Sequence, residues 1–311
     1  MRGDHEKAVI CDKDRGSRNG TDMTRRQGKR TKTLYRSRAA LAAAALALLT
    51  PVSARADVFS AISSNLLSFG DLLLPDIDHV TIGVGPKYTP DYLGSNDYHV
   101  VPDLVFLVRF AGRVFASNQG LEVNLLGFKS LQFGPTLTIS GKRKESDNPV
   151  LAGLGDVKRG PELGLFLRST WQDLVTVRLR VRQGVARGHE GTLIDLVGSS
   201  IIYRSDEDRF QAYIGASSTW SSGTYARAFF GISEEQSLNS GLPVYRPGDS
   251  IRDVSMLAGA RWALSPDWSL NLLGEYRRLV ADAASSPLVA TYGSPNNASL
   301  SLTITRTFRL D

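Results

Sequence analysis

Arg178, Arg180 and Arg182 occupy alternate positions in VTVRLRVR. In an extended strand alternate side chains share a face. Three guanidinium groups therefore line one side, and Val177, Leu179 and Val181 line the other. Arg261, Glu275, Arg277, Glu122, Asp253 and Arg168 fall on faces of the same kind in their own segments. Two chemistries fit such a set. The charges compensate one another and fill a narrow interior, or a basic ladder favours small anions crossing it.

Other reactive residue types form no recognisable constellation. The histidines are His5, His79, His99 and His189. His189 precedes Glu190 in the glycine-rich GVARGHEG, but no HExxH or paired-ligand spacing accompanies it, so a solvated loop histidine is expected. No serine sits in a nucleophile motif, and Gly83-Val84-Gly85 is not followed by the helix of a nucleotide site. The residues imply no catalytic group, no cofactor and no metal.

The elements that carry the charges alternate. In Leu300–Leu310, LSLTITRTFRL, Leu300, Leu302, Ile304, Phe308 and Leu310 share one face, with Arg306 the only break. Ser301, Thr303, Thr305, Thr307 and Arg309 take the other. A period of two is a β-strand, and roughly 9–11 tilted residues cross a bilayer. Similar segments run over 79–88, 98–110 (interrupted by Pro102), 113–118, 120–126, 131–141, 161–168, 174–183, 192–204, 210–219, 253–264 and 268–279. Residues 224–232 are a further strand or part of a loop. The sum is about 12 strands, with 10–14 allowed, an even number in a bacterial single-chain barrel.

Short polar turns fall at 111–112, 127–130, 170–173, 205–208 and 265–267, and long connections at 89–97, 142–159, 184–191, 232–250 and 280–297. Only 117–120 breaks the sorting. Short periplasmic turns facing long extracellular loops, with Trp171, Trp262, Trp268, Tyr203 and Phe308 near the turns, favour an all-β transmembrane antiparallel barrel over a soluble periplasmic β-domain. No apolar stretch after Asp57 reaches the 18 or so residues of a helical span.

The front of the chain reads as an address. Arg25 to Arg38 is basic, Ala39–Leu49 is an uncharged Ala/Leu run, and Ala54-Arg55-Ala56 is an A-x-A site, which places cleavage before Asp57. The stretch before Met23 fits neither signal nor core, so Met23 is an alternative start. The expected organisation is 1–56 extension and signal peptide, 57–78 periplasmic lead-in and 79–311 barrel. Of the 37 Lys and Arg, 13 precede Asp57, leaving 24; of the 31 Asp and Glu, 5 do, leaving 26. The mature chain is thus slightly acidic, and its basic leader is no sign of nucleic-acid binding. The single cysteine, Cys11, leaves with that leader.

Three blocks carry a family likeness. The first is Tyr88-Thr89-Pro90-Asp91-Tyr92-Leu93-Gly94-Ser95-Asn96-Asp97-Tyr98. The second is Phe230-Gly231-Ile232-Ser233 with Gln236-Ser237 and Ser240-Gly241-Leu242-Pro243-Val244-Tyr245. The third runs from Trp268 through Tyr276 and Leu279 to Asp282, Ser286 and Pro287. In this order they resemble the MipA/OmpV family of outer-membrane proteins, which includes the MltA-interacting protein. The residues themselves suit loop ordering: Gly94, Gly231 and Gly241 for positive φ, Pro90, Pro243 and Pro287 for stiffness, and Tyr88, Tyr92 and Tyr98 for packing at the barrel mouth. The resemblance implies a scaffold linked to a murein hydrolase or synthase. A narrow solute channel and a surface-loop adhesin or sensor are the alternatives. Outer-membrane lipid and the barrel assembly machinery are the other expected partners. That machinery usually reads a C-terminal aromatic; here Phe308 is the candidate signal, although Arg309, Leu310 and Asp311 follow it.

Overall fold

The computed structural model describes residues 78–126, 128 and 130–310. The cleavage site at Ala54, Ala56 and Asp57, and the lead-in as far as residue 77, lie outside the described residues.

Twelve strands among these residues form one closed ring: β1 His79–Pro90, β2 Tyr98–Phe110, β3 Val114–Ser117, β4 Gly120–Val123, β5 Leu131–Ile139, β6 Pro161–Trp171, β7 Val175–Gly184, β8 Thr192–Arg204, β9 Phe210–Ser221, β10 Ser250–Ala263, β11 Trp268–Leu279 and β12 Asn296–Arg309. Each pairs antiparallel with its chain neighbours, and β12 closes on β1 in a register that runs from His79↔Arg309 to Tyr88↔Leu300. Closure leaves no edge at the seam, so the backbone satisfies itself without water.

The burial pattern is inverted relative to a soluble protein. On β12 Leu300 is 52% exposed and its neighbour Ser301 5%. Leu163, Leu165, Leu179, Val181, Met256 and Leu272 likewise face out, while Thr176, Arg178, Ser255 and Glu275 face in. An exposed apolar band around a polar interior is stable only with hydrocarbon outside. The band has aromatic borders: Trp171, Tyr203, Trp262, Trp268 and Phe308 at the short-turn end, Tyr88 and Tyr276 at the other. The break at Arg306 has a physical account. Its guanidinium lies 5.5 Å from the Trp268 ring centre and 4.8 Å from that of Phe308, so two interfacial aromatics hold the cation.

The short turns are built for hairpins. Ala111 and Gly112 have φ of 54° and 60°, and Gln172 and Asp173 both have φ of 52°. Arg113 N donates to Phe110 O and Leu174 N to Trp171 O, which makes two-residue primed turns whose twist matches the strands.

Two expectations are corrected. Pro102 does not interrupt β2, which runs unbroken with Pro102 opposite Pro86. Phe106 N donates to Asn118 Oδ1, and Asn118 Nδ2 donates to Leu104 O, both on the side away from β1. Pro102 turns its missing N–H the same way, and there β2 rises past the short β3–β4 hairpin with no strand beside it. Residues 224–232 are neither strand nor plain loop. They hold a helix, α1 Gly223–Phe230, started by the Ser222 side chain.

Candidate functional site

The interior holds two groups of paired charges. β7 places Arg178, Arg180 and Arg182 inward, as their alternation requires, and the β7–β8 register sets Arg180 directly opposite Asp195. Arg180 lies 3.1 Å from Asp195, and Arg182 bridges Asp195 at 2.8 Å and Glu162 at 2.6 Å. Glu122 on β4 takes Arg168 at 3.0 Å and Arg178 at 3.3 Å. A second group joins Arg252 to Asp253 at 2.5 Å, and Arg277 to Glu275 at 2.5 Å and Asp253 at 3.8 Å. Removing either partner of such a buried pair strands a charge, which costs several kcal/mol. Arg261, placed inward by alternation, sits half-buried toward the short-turn end, apart from both groups. Glu162 and Asp195 escaped the sequence reading because their partners lie on neighbouring strands, and Arg252 because it precedes the alternating stretch that begins at Asp253.

A second sector of the lumen is apolar. Val197, Ile201, Tyr213, Leu257 and Leu273 pack together from four strands. Tyr213 lies opposite Gly259, where an added Cβ would stand 2.3 Å from the phenol ring, so the missing side chain makes room for the aromatic.

Long loops close the opposite mouth. α1, α2 Glu234–Ser240, α3 Ala281–Ser285 and α4 Pro287–Ala290 lie in two of them. Tyr225, Phe229, Phe230, Leu279, Ala283 and Val289 form one buried cluster, and Tyr92, Leu151, Leu154, Ile232, Leu242 and Leu288 form another. The three sequence blocks meet here. Gly94 (φ 101°) donates its N–H to Asn297 Oδ1 at 2.8 Å, and Asn297 Nδ2 donates to Ser95 O at 2.9 Å. The Ser286 hydroxyl donates to Phe230 O at 2.7 Å, and Tyr245 Oη to Asp282 O at 2.8 Å. Ser233 and Gln236 form a reciprocal cap at the start of α2; the Ser240 hydroxyl donates to Gln236 O, and Gly241 (φ 75°) ends the helix. Pro287 occupies the first turn of α4. Pro90 pairs with Tyr98, whose ring stacks on Tyr88 at 4.9 Å. Gly231 departs from the expectation: its φ is −75°, and the glycine is needed instead because a Cβ would stand 2.5 Å from Arg227 O.

Charged and polar groups lock the cap to the barrel. Arg143 is buried and donates to Phe229 O at 2.6 Å, a cation at the C-terminus of α1, and burial pulls its guanidinium down to about 10. Burial, reinforced by Asp97, pushes the Tyr92 phenol up to about 12, and burial also raises Tyr225. His189 is corrected from a solvated residue to a buried one. Its ring lies 2.7 Å from Glu162 and 4.7 Å from the Tyr225 ring, because the glycine-rich loop folds inward over the lumen. No cluster of three metal-ligating side chains occurs among the described residues.

A closed antiparallel ring, greasy outside and charged inside, is an outer-membrane β-barrel. The family model described as "MltA-interacting protein MipA" matches residues 82–308, and the chain belongs to that family. Solved structures with a related outline include the COG4313 outer membrane channel from Pseudomonas putida F1 (11% identity over 76% of this chain and 97% of that one, TM-score 0.41). Others are the KdgM porin (10%, 74% and 100%, 0.39) and the outer membrane protein OprG from Pseudomonas aeruginosa (13%, 75% and 97%, 0.28). Similarity this low says nothing of function. No curated protein matches the chain by sequence.

Proposed function

We propose that this barrel is a sealed structural scaffold of the outer membrane that works through its surfaces and is linked to murein enzymes. The carrying observation is the lumen: paired arginines and carboxylates fill one sector, an apolar cluster fills another, and interlocked loops cover the mouth. These features weigh against a solute channel. The reading includes no catalytic step, since His189 is committed to Glu162 and Tyr225.

The family's description, MltA-interacting protein, supports a murein enzyme of the MltA type as the partner class. The contact falls on the periplasmic side, where turns such as Ser205-Asp206-Glu207-Asp208 present exposed acidic groups. The test is direct binding of purified MltA-type enzyme to the full chain in lipid nanodiscs. Saturable binding that weakens in the Asp206→Lys, Glu207→Lys double variant is expected. No binding at any ratio overturns the murein link, and solute-dependent swelling of loaded liposomes overturns the sealed scaffold in favour of a channel.

A further inference from the structure

Arg306 breaks the apolar face of β12, and its side chain is exposed on the outside of the ring. It stands opposite Trp268 on β11 and opposite Ile82 on β1. Its depth is therefore that of the aromatic border at the short-turn end, where the periplasmic leaflet carries its headgroups. The faces of Trp268 and Phe308 attract the guanidinium but leave its charge in place and its N–H donors free to bond. No ion pair or hydrogen bond joins Arg306 to any other of the described residues.

An arginine on the lipid face is costly unless an acceptor meets it. Water takes the hydrogen bonds and leaves the charge; a phosphodiester takes both, and the planar fork of a guanidinium matches two of its oxygens. The surroundings suit the rest of a lipid. Val84 pairs with Ile304 one step deeper than Arg306, and Leu302 follows, so exposed side chains of β1 and β12 run from the cation toward the bilayer centre. A zwitterionic headgroup brings its own ammonium to the same place, which offsets the gain, so an anionic phospholipid fits best.

We infer that Arg306, held between Trp268 and Phe308, binds the phosphodiester of one anionic phospholipid of the periplasmic leaflet. The acyl chains lie along Ile82, Val84, Leu302 and Ile304, across the seam where β12 closes on β1. Arg278 supplies an internal comparison. It is exposed on the outer face at the opposite rim, and its Nη1 donates to Asn296 Oδ1 at 3.0 Å.

The test is native mass spectrometry of the full chain in detergent, titrated with phosphatidylglycerol or phosphatidylethanolamine. The wild type should hold one phosphatidylglycerol about fivefold more tightly than phosphatidylethanolamine, and Arg306→Gln should abolish that preference. Arg278→Gln should retain it, and excess inorganic phosphate should not displace the lipid, because the chains contribute to its hold. Equal binding of the two lipids by the wild type, a preference that survives Arg306→Gln, the same loss in Arg278→Gln, or displacement by inorganic phosphate overturns the inference. Should Arg306→Gln fail to fold, phosphatidylglycerol with a photoreactive acyl chain decides the matter on the wild type. Adducts concentrated on β1 and β12 support the site, and adducts spread evenly around the ring overturn it.

Discussion

His189 Nε2 lies 2.7 Å from Glu162 Oε1, joining an extracellular loop to the inside of the barrel wall. The other oxygen of that carboxylate accepts from Arg182 Nη1 at 2.6 Å and from the Thr138 hydroxyl at 2.6 Å. One buried anion therefore ties β5, β6, β7 and the following loop together. The Glu162→Gln substitution keeps the shape and removes the charge, so it should cost about 3–5 kcal/mol. Urea unfolding in micelles, followed by the mobility of the folded band on unboiled gels, measures this. A loss below about 0.5 kcal/mol would show the pair to be idle.

The cap and the barrel are stabilised by different contacts, so they should separate under mutation. Phe230 is fully buried in the loop cluster and its carbonyl receives Ser286. The Phe230→Ala substitution should weaken the cap by about 3–5 kcal/mol. External protease should then cut within 222–249 on whole cells while the barrel still runs as a compact band. Protection equal to wild type contradicts a cap held by this cluster.

Alkaline pH should loosen the same cap through Tyr92. Its folded value, raised to about 12 by burial and Asp97, exceeds the ordinary value near 10. The neutral phenol therefore favours the packed state: that contribution is complete below about pH 10 and is lost as pH rises through about 12. Phenolate absorbance should show one fewer late-ionising group in Tyr92→Phe than in the wild type, where the buried Tyr225 also ionises late. Difference spectra centred near pH 10 would refute the burial account.

Gln172 and Asp173 hold positive φ without being glycine or asparagine. The Gln172→Asn, Asp173→Gly pair suits a primed turn better and should stabilise the barrel by about 0.5–1 kcal/mol. A lower denaturant midpoint than wild type contradicts the turn assignment.

The wall of this barrel was readable because lipid enforces alternation. Leu163, Leu165 and Leu167 announce their face without reference to any partner, and β2, β8 and β11 match the ranges read from the sequence. Strand ends were less legible. β12 begins at Asn296, where small and polar residues carry no alternation, and α1 was hidden because Tyr225, Phe229 and Phe230 give too few turns to declare a helical period. The ion pairs were out of reach for another reason. Asp195 meets Arg180 only through the β7–β8 register, and a seven-residue loop does not encode it. The inward course of that loop, which buries His189, rests on packing from distant segments.

Planar-bilayer recording of the purified full chain tests the sealed barrel most directly. With its arginines paired, its apolar sector packed and its mouth covered, the protein should insert without producing steady current steps above the bare membrane. Large, long-lived steps of either ion preference would mean that an aqueous path runs through the ring, and the account would be wrong at its centre.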